Sequence, residues 1–326
     1  MSPALPPALR AALEDLAGRF PGKDLAAASL RLTEDYKAGR GSRLPAPVDV
    51  AAYAIARMPA TYAACASALA EARERVDATP RTLLDIGCGP GTAAWAVTEA
   101  YPDLRSAILI DTHPGMMALG RDLARSGPPA LLAADWHRGG FGEVTAGADM
   151  VVASYALNEV APAEAARIAK RLFGLAGQVL ILVEPGTPKG FAGLSAARSA
   201  LGDAGAQIAA PCPGAIACPA IAPDWCHFAV RLPRLRAHKT AKGADVPFED
   251  EPFSYLVVTK PGVTIMPAPA RILRPPRADK AGTAFSLCTP TGARMTTVPS
   301  RDRDAHRLTR RLGWGDAFVL SPEDQP

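Results

Sequence analysis

Residues 83–95 read LLDIGCGPGTAAW: a short apolar run, a turn with glycine at alternate positions, and the opening of a helix. Gly87, Gly89 and Gly91 let the backbone turn sharply and approach a ligand closely, at the positive end of the helix that follows. Outward from it lie further apolar runs: SAILID (106–111), ALLAAD (130–135), DMVVASY (149–155) and QVLILVEP (178–185). Between them sit helix-length pieces, GTAAWAVTEAY (91–101), GMMALGRDLARS (115–126) and APAEAARIAKRLFGLA (161–176). Continuous apolar runs alternating with helices predict parallel strands covered on both faces, a doubly wound α/β sheet.

A G-x-G-x-G turn also opens dinucleotide-binding units, so the acids around it decide the ligand. Asp85 lies two residues before the first glycine, where a class I methyltransferase organises contacts to the methionine end of S-adenosylmethionine. Asp111 closes the second run, suited to accept both ribose hydroxyls. Asp135 closes the third and precedes Trp136, suited to bond the adenine amine and pack on its ring. Acids at the C-terminal edges of successive strands match the crevice of an open α/β sheet. The expected cofactor residues are therefore Asp85, Gly87, Gly89, Gly91, Asp111, Asp135 and Trp136. After the fourth run, SYALNEV (154–160) lacks the Asn/Asp-Pro-Pro-aromatic tetrad of amino-directed nucleic-acid methylases. Asn158 and Glu159 either face the cofactor or hold a turn, and no catalytic base is identified. The residues argue for cofactor binding more than for methyl transfer.

Three units are expected. Residues 1–80 form a helical domain, from ALPPALRAALEDLAGRF (4–20) and the 48–76 stretch, with a break at Pro59. Residues 81–260 form the cofactor-binding unit, interrupted at about 186–250 and resumed by FSYLVVTK (253–260). Residues 261–326 form a small β-rich domain, with a hairpin around Thr289–Gly292 in FSLCTPTGARMTTV.

The 326 residues are 48% hydrophobic and 21% charged, ordinary globular composition, and no apolar run is long enough for a membrane span. The N-terminal stretch shows neither a signal peptide nor an acid-poor transit peptide, so a cytoplasmic setting is expected. In a reducing compartment clustered cysteines bind metal or do redox chemistry more often than they form disulfides. Three of the six cysteines, Cys212, Cys218 and Cys226, fall in PCPGAIACPAIAPDWCHF (211–228). Cys288 is the candidate fourth ligand, since Cys65 sits in a helix and Cys88 in the glycine turn; His227 is a substitute. Four thiolates suit zinc or an iron–sulfur cluster. Spacings of five and seven are looser than the usual zinc pairs, and cysteine–proline steps recur in cluster loops. Three unrelated thiols remain a third reading.

Net charge is +4, but basic residues gather in RLPRLRAHKTAK (231–242), at Arg271, Arg274, Arg277 and Lys280, and in 301–316. Such strips suit an anionic partner, RNA rather than DNA or membrane, with Arg231, Arg234, Arg236, Lys239 and Lys242 as candidate phosphate contacts.

These segments together resemble a known family. CPGAIACPAIAPDWCHFAVRLPR (212–234), HKTAKG (238–243), FEDEPFSYL (248–256), LCTPTG (287–292) and WGD (314–316) occur in its order, as does YAIARMPATYAAC (53–65). The family is the methyltransferase-like assembly factors of the mitochondrial ribosomal small subunit, with their bacterial homologues; the resemblance runs from about residue 48 to 316. It implies a class I methyltransferase core and a [4Fe–4S] cluster on Cys212, Cys218, Cys226 and Cys288. It further implies association with small-subunit ribosomal RNA during assembly. The alternative is an active rRNA methyltransferase with a structural zinc or iron–sulfur site.

Overall fold

The computed structural model describes residues 3–37, 44–214, 217–220, 223–236 and 246–319. Three helices come first: α1 (Pro7–Gly18), α2 (Gly22–Lys37) and α3 (Pro47–Arg75). α1 buries Leu9, Leu13 and Leu16 along one stripe, as an amphipathic surface helix does. α3 is a 29-residue, alanine-rich helix buried along most of its length. It runs unbroken through Pro59, correcting the expected break. Proline removes one helix hydrogen bond and crowds the preceding turn. Here packing on several sides holds the helix across that gap, and Met58, Pro59 and Ala60 are all buried.

The central sheet contains β1 (Thr82–Ile86), β2 (Ser106–Asp111), β3 (Asp135–Arg138), β4 (Ala148–Ser154), β5 (Ala176–Pro185), β6 (Gln207–Ala210), β7 (Phe228–Pro233) and β8 (Phe248–Thr259). Their order is β3-β2-β1-β4-β5-β8-β6, with β7 also paired to β8. The pairs from β3 to β5 are parallel, and β8 runs antiparallel to β5, β6 and β7. This is the Rossmann-like class I methyltransferase sheet. Helices α4 (Thr92–Ala100), α5 (Pro114–Ala124), α7 (Pro162–Leu175) and α8 (Pro188–Asp203) connect its strands. Alternate residues feed two cores: Leu83, Leu109, Val152 and Ile181 on the α3 side, Leu84, Ile110, Val151 and Leu180 on the other. That period of two with both faces apolar is why the strands read as unbroken apolar runs.

Two readings of the sequence need correction. The run 130–135 is not a strand: α6 (Pro129–Leu132) takes its first half, and β3 begins only at Asp135. Proline at the first helical position starts a helix readily, and four apolar residues carry no period to tell the two apart. Nor does the alternation stop at residue 186, because α8 and β6 continue it and β6 joins the sheet.

The remaining strands form a second, five-stranded antiparallel sheet: β9 (Ala270–Ile272), β10 (Arg277–Ala278), β11 (Gly282–Thr289), β12 (Gly292–Pro299) and β13 (Ala317–Phe318). β11 and β12 are the expected hairpin, paired from Gly282–Pro299 to Thr289–Gly292. A small core of Ala270, Ile272, Phe285, Leu287 and Phe318 closes one face, and α9 (Arg303–Thr309) packs on β12.

Candidate functional site

The strand order reverses between β1 and β4, and the C-terminal edges there open into a cavity of about 310 Å³. The glycine turn forms one wall. Gly87, Gly89 and Gly91 have φ of +68°, +53° and +82°, the left-handed region that side chains avoid. Gly87 also passes so near the opposite wall that a Cβ there would sit 2.8 Å from that of Ala156. Asp111 holds the turn: its Oδ2 accepts from the Gly89 N–H at 2.8 Å and its Oδ1 from the His113 N–H at 2.7 Å. It also lines the cavity.

Asp85 occupies the expected strand end but not the cavity wall. It is 0% exposed, beneath the turn, and its Oδ2 accepts the Ala94 N–H of α4 at 3.2 Å. Its Oδ1 has no hydrogen-bond partner among the described residues, and burial pushes the carboxyl up to about 7. Asp135 and Trp136 are placed differently from the expectation. Asp135 is the first residue of β3, level with Ile108, whereas Arg138 is level with Asp111. The few-residue shift of the strand moves Asp135 away from the ligand edge. Trp136 packs behind the turn, where a Cβ on Gly91 or Gly120 would meet its ring at 3.0 or 2.3 Å. The segment after β3, with Gly139, Gly140 and Phe141, lines the cavity instead.

Glu159, one of the two residues considered for facing the cofactor, lines the cavity. Sequence reasoning missed other walls from outside the motif: Tyr53, Met58 and Thr61 of α3, and Tyr155 and Ala156 of the loop after β4. Glu184, at the end of β5, pins that loop. Its carboxylate accepts from the backbone N–H groups of Ala156, Leu157 and Asn158 at 3.2, 2.8 and 3.0 Å, and from the Asn158 amide at 2.9 Å. Asn158 is thereby committed to the turn. Glu184 is fully buried, and despite these donors its carboxyl is raised to about 7 by desolvation.

A second cavity, of about 110 Å³, is lined by Cys212, Cys218, Cys226 and Cys288 together. Cys65 and Cys88 lie buried elsewhere, in α3 and the glycine turn. Arg198, Arg271 and Arg274 line the same cavity, and the Arg198 Nε donates to the Cys212 sulfur at 3.3 Å. Burial pushes the thiols of Cys212 and Cys226 up and that of Cys288 up to about 12. As the side chains stand, no group of three or more His, Cys, Asp or Glu among the described residues is placed to hold a metal ion. His227 is occupied elsewhere, its ring stacked on Trp225 at 4.9 Å and meeting Trp314 edge-on at 4.8 Å. Arg271 ties the surrounding segments together. Only 1% exposed, it donates to Glu71 of α3 at 2.6 Å and to the carbonyls of Pro211 and Gly315 at 3.1 and 2.8 Å.

The expected RNA strip is partly neutralised. Arg231 pairs with Asp250 through Nε and Nη2 at 2.7 and 2.8 Å, and Arg234 with Glu249 at 3.0 Å. Both acids lie on β8, directly across from β7. Arg236 is exposed, and Lys239 and Lys242 lie outside the described residues. Of the other basic residues, Arg271 is buried and Arg274 pairs with Asp224. By contrast, Arg301, Arg303, Arg310 and Arg311 around α9 are exposed and form no ion pair among the described residues.

Comparison with known proteins gives three findings. The family model described as mitochondrial small ribosomal subunit Rsm22 matches residues 47–319. Human "Ribosome assembly protein METTL17, mitochondrial" is 27% identical over 296 residues, covering 84% of this chain and 63% of that protein. "Rsm22-cox11 tandem protein 2, mitochondrial" of Schizosaccharomyces pombe is 25% identical over 360 residues, covering 93% of this chain and 47% of that protein. This chain thus spans between about half and two thirds of the length of these relatives. Among solved structures, magnesium protoporphyrin IX methyltransferase from Synechocystis PCC 6803 with bound SAM is 14% identical at a TM-score of 0.41, over 70% of this chain and 90% of that one. The expected cytoplasmic setting is overturned, because the matching family and both curated relatives are described as mitochondrial. That expectation rested on a missing targeting pattern, and a missing pattern specifies no compartment.

Proposed function

The chain belongs to the family described as mitochondrial small ribosomal subunit Rsm22, and from that membership we propose a SAM-binding, iron–sulfur-containing protein that docks on small-subunit ribosomal RNA during ribosome assembly. The observation that carries the cofactor reading is the cavity at the strand-order reversal, with the left-handed Gly87 and Gly89 and the adjoining Asp111 on one side and Tyr155 and Ala156 on the other. Its 310 Å³ falls within the range of small-molecule sites. The chemistry of its walls suits S-adenosylmethionine: the close backbone approach that Gly87 and Gly89 allow, the Asp111 carboxylate for ribose hydroxyls, and the aromatic rings of Tyr53 and Phe141. The unpartnered Asp85 Oδ1 keeps one acceptor in reserve beneath the turn. When bound, S-adenosylmethionine supplies an electrophilic methyl group; the residues assigned here bind and orient it, and none is assigned to transfer.

Cys212, Cys218, Cys226 and Cys288 would hold a [4Fe–4S] cluster. The donor set supports this, as four thiols line one cavity and Arg198, whose Nε donates to the Cys212 sulfur, would offset negative charge on thiolate ligands. Cluster binding would join the 211–226 segment to the β11–β12 hairpin, a closure over a long loop that metal binding can offset. Phosphate contacts fall best to Arg301, Arg303, Arg310 and Arg311, which are exposed and form no ion pair among the described residues. For Arg231, a phosphate must first displace Asp250.

Anaerobically purified protein tests the metal: a brown preparation with broad absorption and four irons per chain is expected, and a colourless preparation with one zinc overturns the cluster. Calorimetry with S-adenosylhomocysteine tests the pocket, where absence of heat overturns cofactor binding. Titration with a small-subunit rRNA fragment at several salt concentrations tests docking. Replacing Arg310 and Arg311 by glutamine should weaken binding and flatten the salt slope by roughly two. An unchanged slope removes them from the interface.

A further inference from the structure

Tyr155 is the single non-glycine residue with positive φ among the described residues, at +56°. Residues with a Cβ hold that conformation at a cost and cluster where two states are needed. Tyr155 follows β4 and lines the glycine-turn cavity. Its N–H donates to the Val183 carbonyl at 2.7 Å, and its next three residues are pinned by Glu184. Its hydroxyl points the other way and donates to Glu251 Oε1 at 2.7 Å.

Glu251 belongs to the first half of β8, which leaves β5 behind and pairs with β7, opposite Val230. Its neighbours Asp250 and Glu249 are the acids that hold Arg231 and Arg234. The same strand carries Ser254, whose hydroxyl donates to the Cys226 carbonyl at 2.8 Å. A single side chain therefore joins the cofactor cavity to the strand that carries the paired arginines and borders the cysteine cavity.

We propose that Tyr155 couples occupancy of the glycine-turn cavity to the β7–β8 ribbon through its bond to Glu251. The inference rests on the cofactor reading above. A ligand in the cavity meets Tyr155 and Ala156 directly, since both line it. The left-handed well is narrow, and leaving it swings the hydroxyl away from Glu251 and takes that one bond from the ribbon. Ligand that fits the observed wall holds Tyr155 in place and so stiffens the ribbon; an empty cavity releases it. This gives a ligand two states to distinguish, as coupling requires.

The test is hydrogen exchange of the full chain with and without S-adenosylhomocysteine, paired with calorimetry. Amides of 228–233 and 248–252 are expected to exchange about fivefold more slowly with ligand, a typical coupling factor. Glu251→Ala, outside the cavity lining, should still bind ligand and lose that slowing. Glu251→Gln, which keeps an acceptor oxygen for the Tyr155 hydroxyl, should restore it. A purely structural role would not distinguish these two variants in their response to ligand. Binding with unchanged ribbon exchange overturns the coupling alone. Absence of binding heat in the wild type overturns the cofactor reading, and the coupling with it.

Discussion

The two cavities are built in opposite ways. The glycine-turn cavity is assembled at the edge of a parallel sheet from neighbouring strand ends, where Asp111 holds the glycine turn and Glu184 holds the loop after β4 by hydrogen bonds. The cysteine cavity gathers Arg198, Cys212, Cys218, Cys226, Phe228, Arg271 and Cys288, with strands of both sheets in its wall. Its thiols converge on one space, yet no group of three or more ligating side chains among the described residues is placed to hold a metal ion. The first cavity follows from forming the central sheet; the second follows from docking one sheet on another, with Arg271 as the joint.

The sharpest way to break that contrast is to remove the joint. Arg271→Ala leaves Glu71 and two carbonyls without their buried donor, and losing one member of a buried pair costs about 3–5 kcal/mol. Thermal unfolding should drop accordingly, and limited proteolysis should first cut between residues 211 and 319 while the central sheet resists. Uniform loss of both regions would show that the two cavities are not independently built.

The matching perturbation of the first cavity is Gly120→Ala. The added Cβ would meet the Trp136 ring at 2.3 Å and push it against the back of the glycine turn. Overpacking of this kind costs about 1–3 kcal/mol. S-adenosylhomocysteine affinity should fall while iron content stays unchanged; an unaffected affinity would remove Trp136 from support of the turn.

How legible each cavity was in the sequence follows the same division. The glycine turn, Asp85 and Asp111 were readable because local φ requirements and apolar runs fix them within a few residues. Asp135 was misassigned because two prolines started a short helix inside an apolar run, carrying the acid to the wrong end of β3. Tyr155 and Glu184 carry no motif; their roles depend on which strand ends meet. Three cysteines announce the second cavity by proximity in the chain, but Arg198, Arg271 and Glu71 give no local signal. The pairing of Arg231 and Arg234 with the acids of β8 was hidden for the same reason, since a register decides it.

A smaller effect separates the cavities by pH. The Glu184 carboxyl is raised to about 7 in the folded chain from its ordinary value of 4.5. Between those values the folded state holds more protons than the unfolded one, so stability falls as pH rises through that window and levels off above it. Asp85, raised to about 7, adds a decline of the same sign. Glu184→Gln should flatten the stability curve between about pH 4.5 and 7 in denaturant titrations. The same slope in wild type and variant would contradict a buried, protonatable carboxyl at that position.

If a metal cluster completes the cysteine cavity as proposed, the glycine-turn cavity should stand without it. Hydrogen exchange of the full chain before and after anaerobic loading with iron and sulfide separates the two. New protection is expected only in residues 211–227 and 270–318, with 82–111 and 148–185 unchanged. Loading without protection in the cysteine-bearing segments, or protection spread equally through the central sheet, would contradict it.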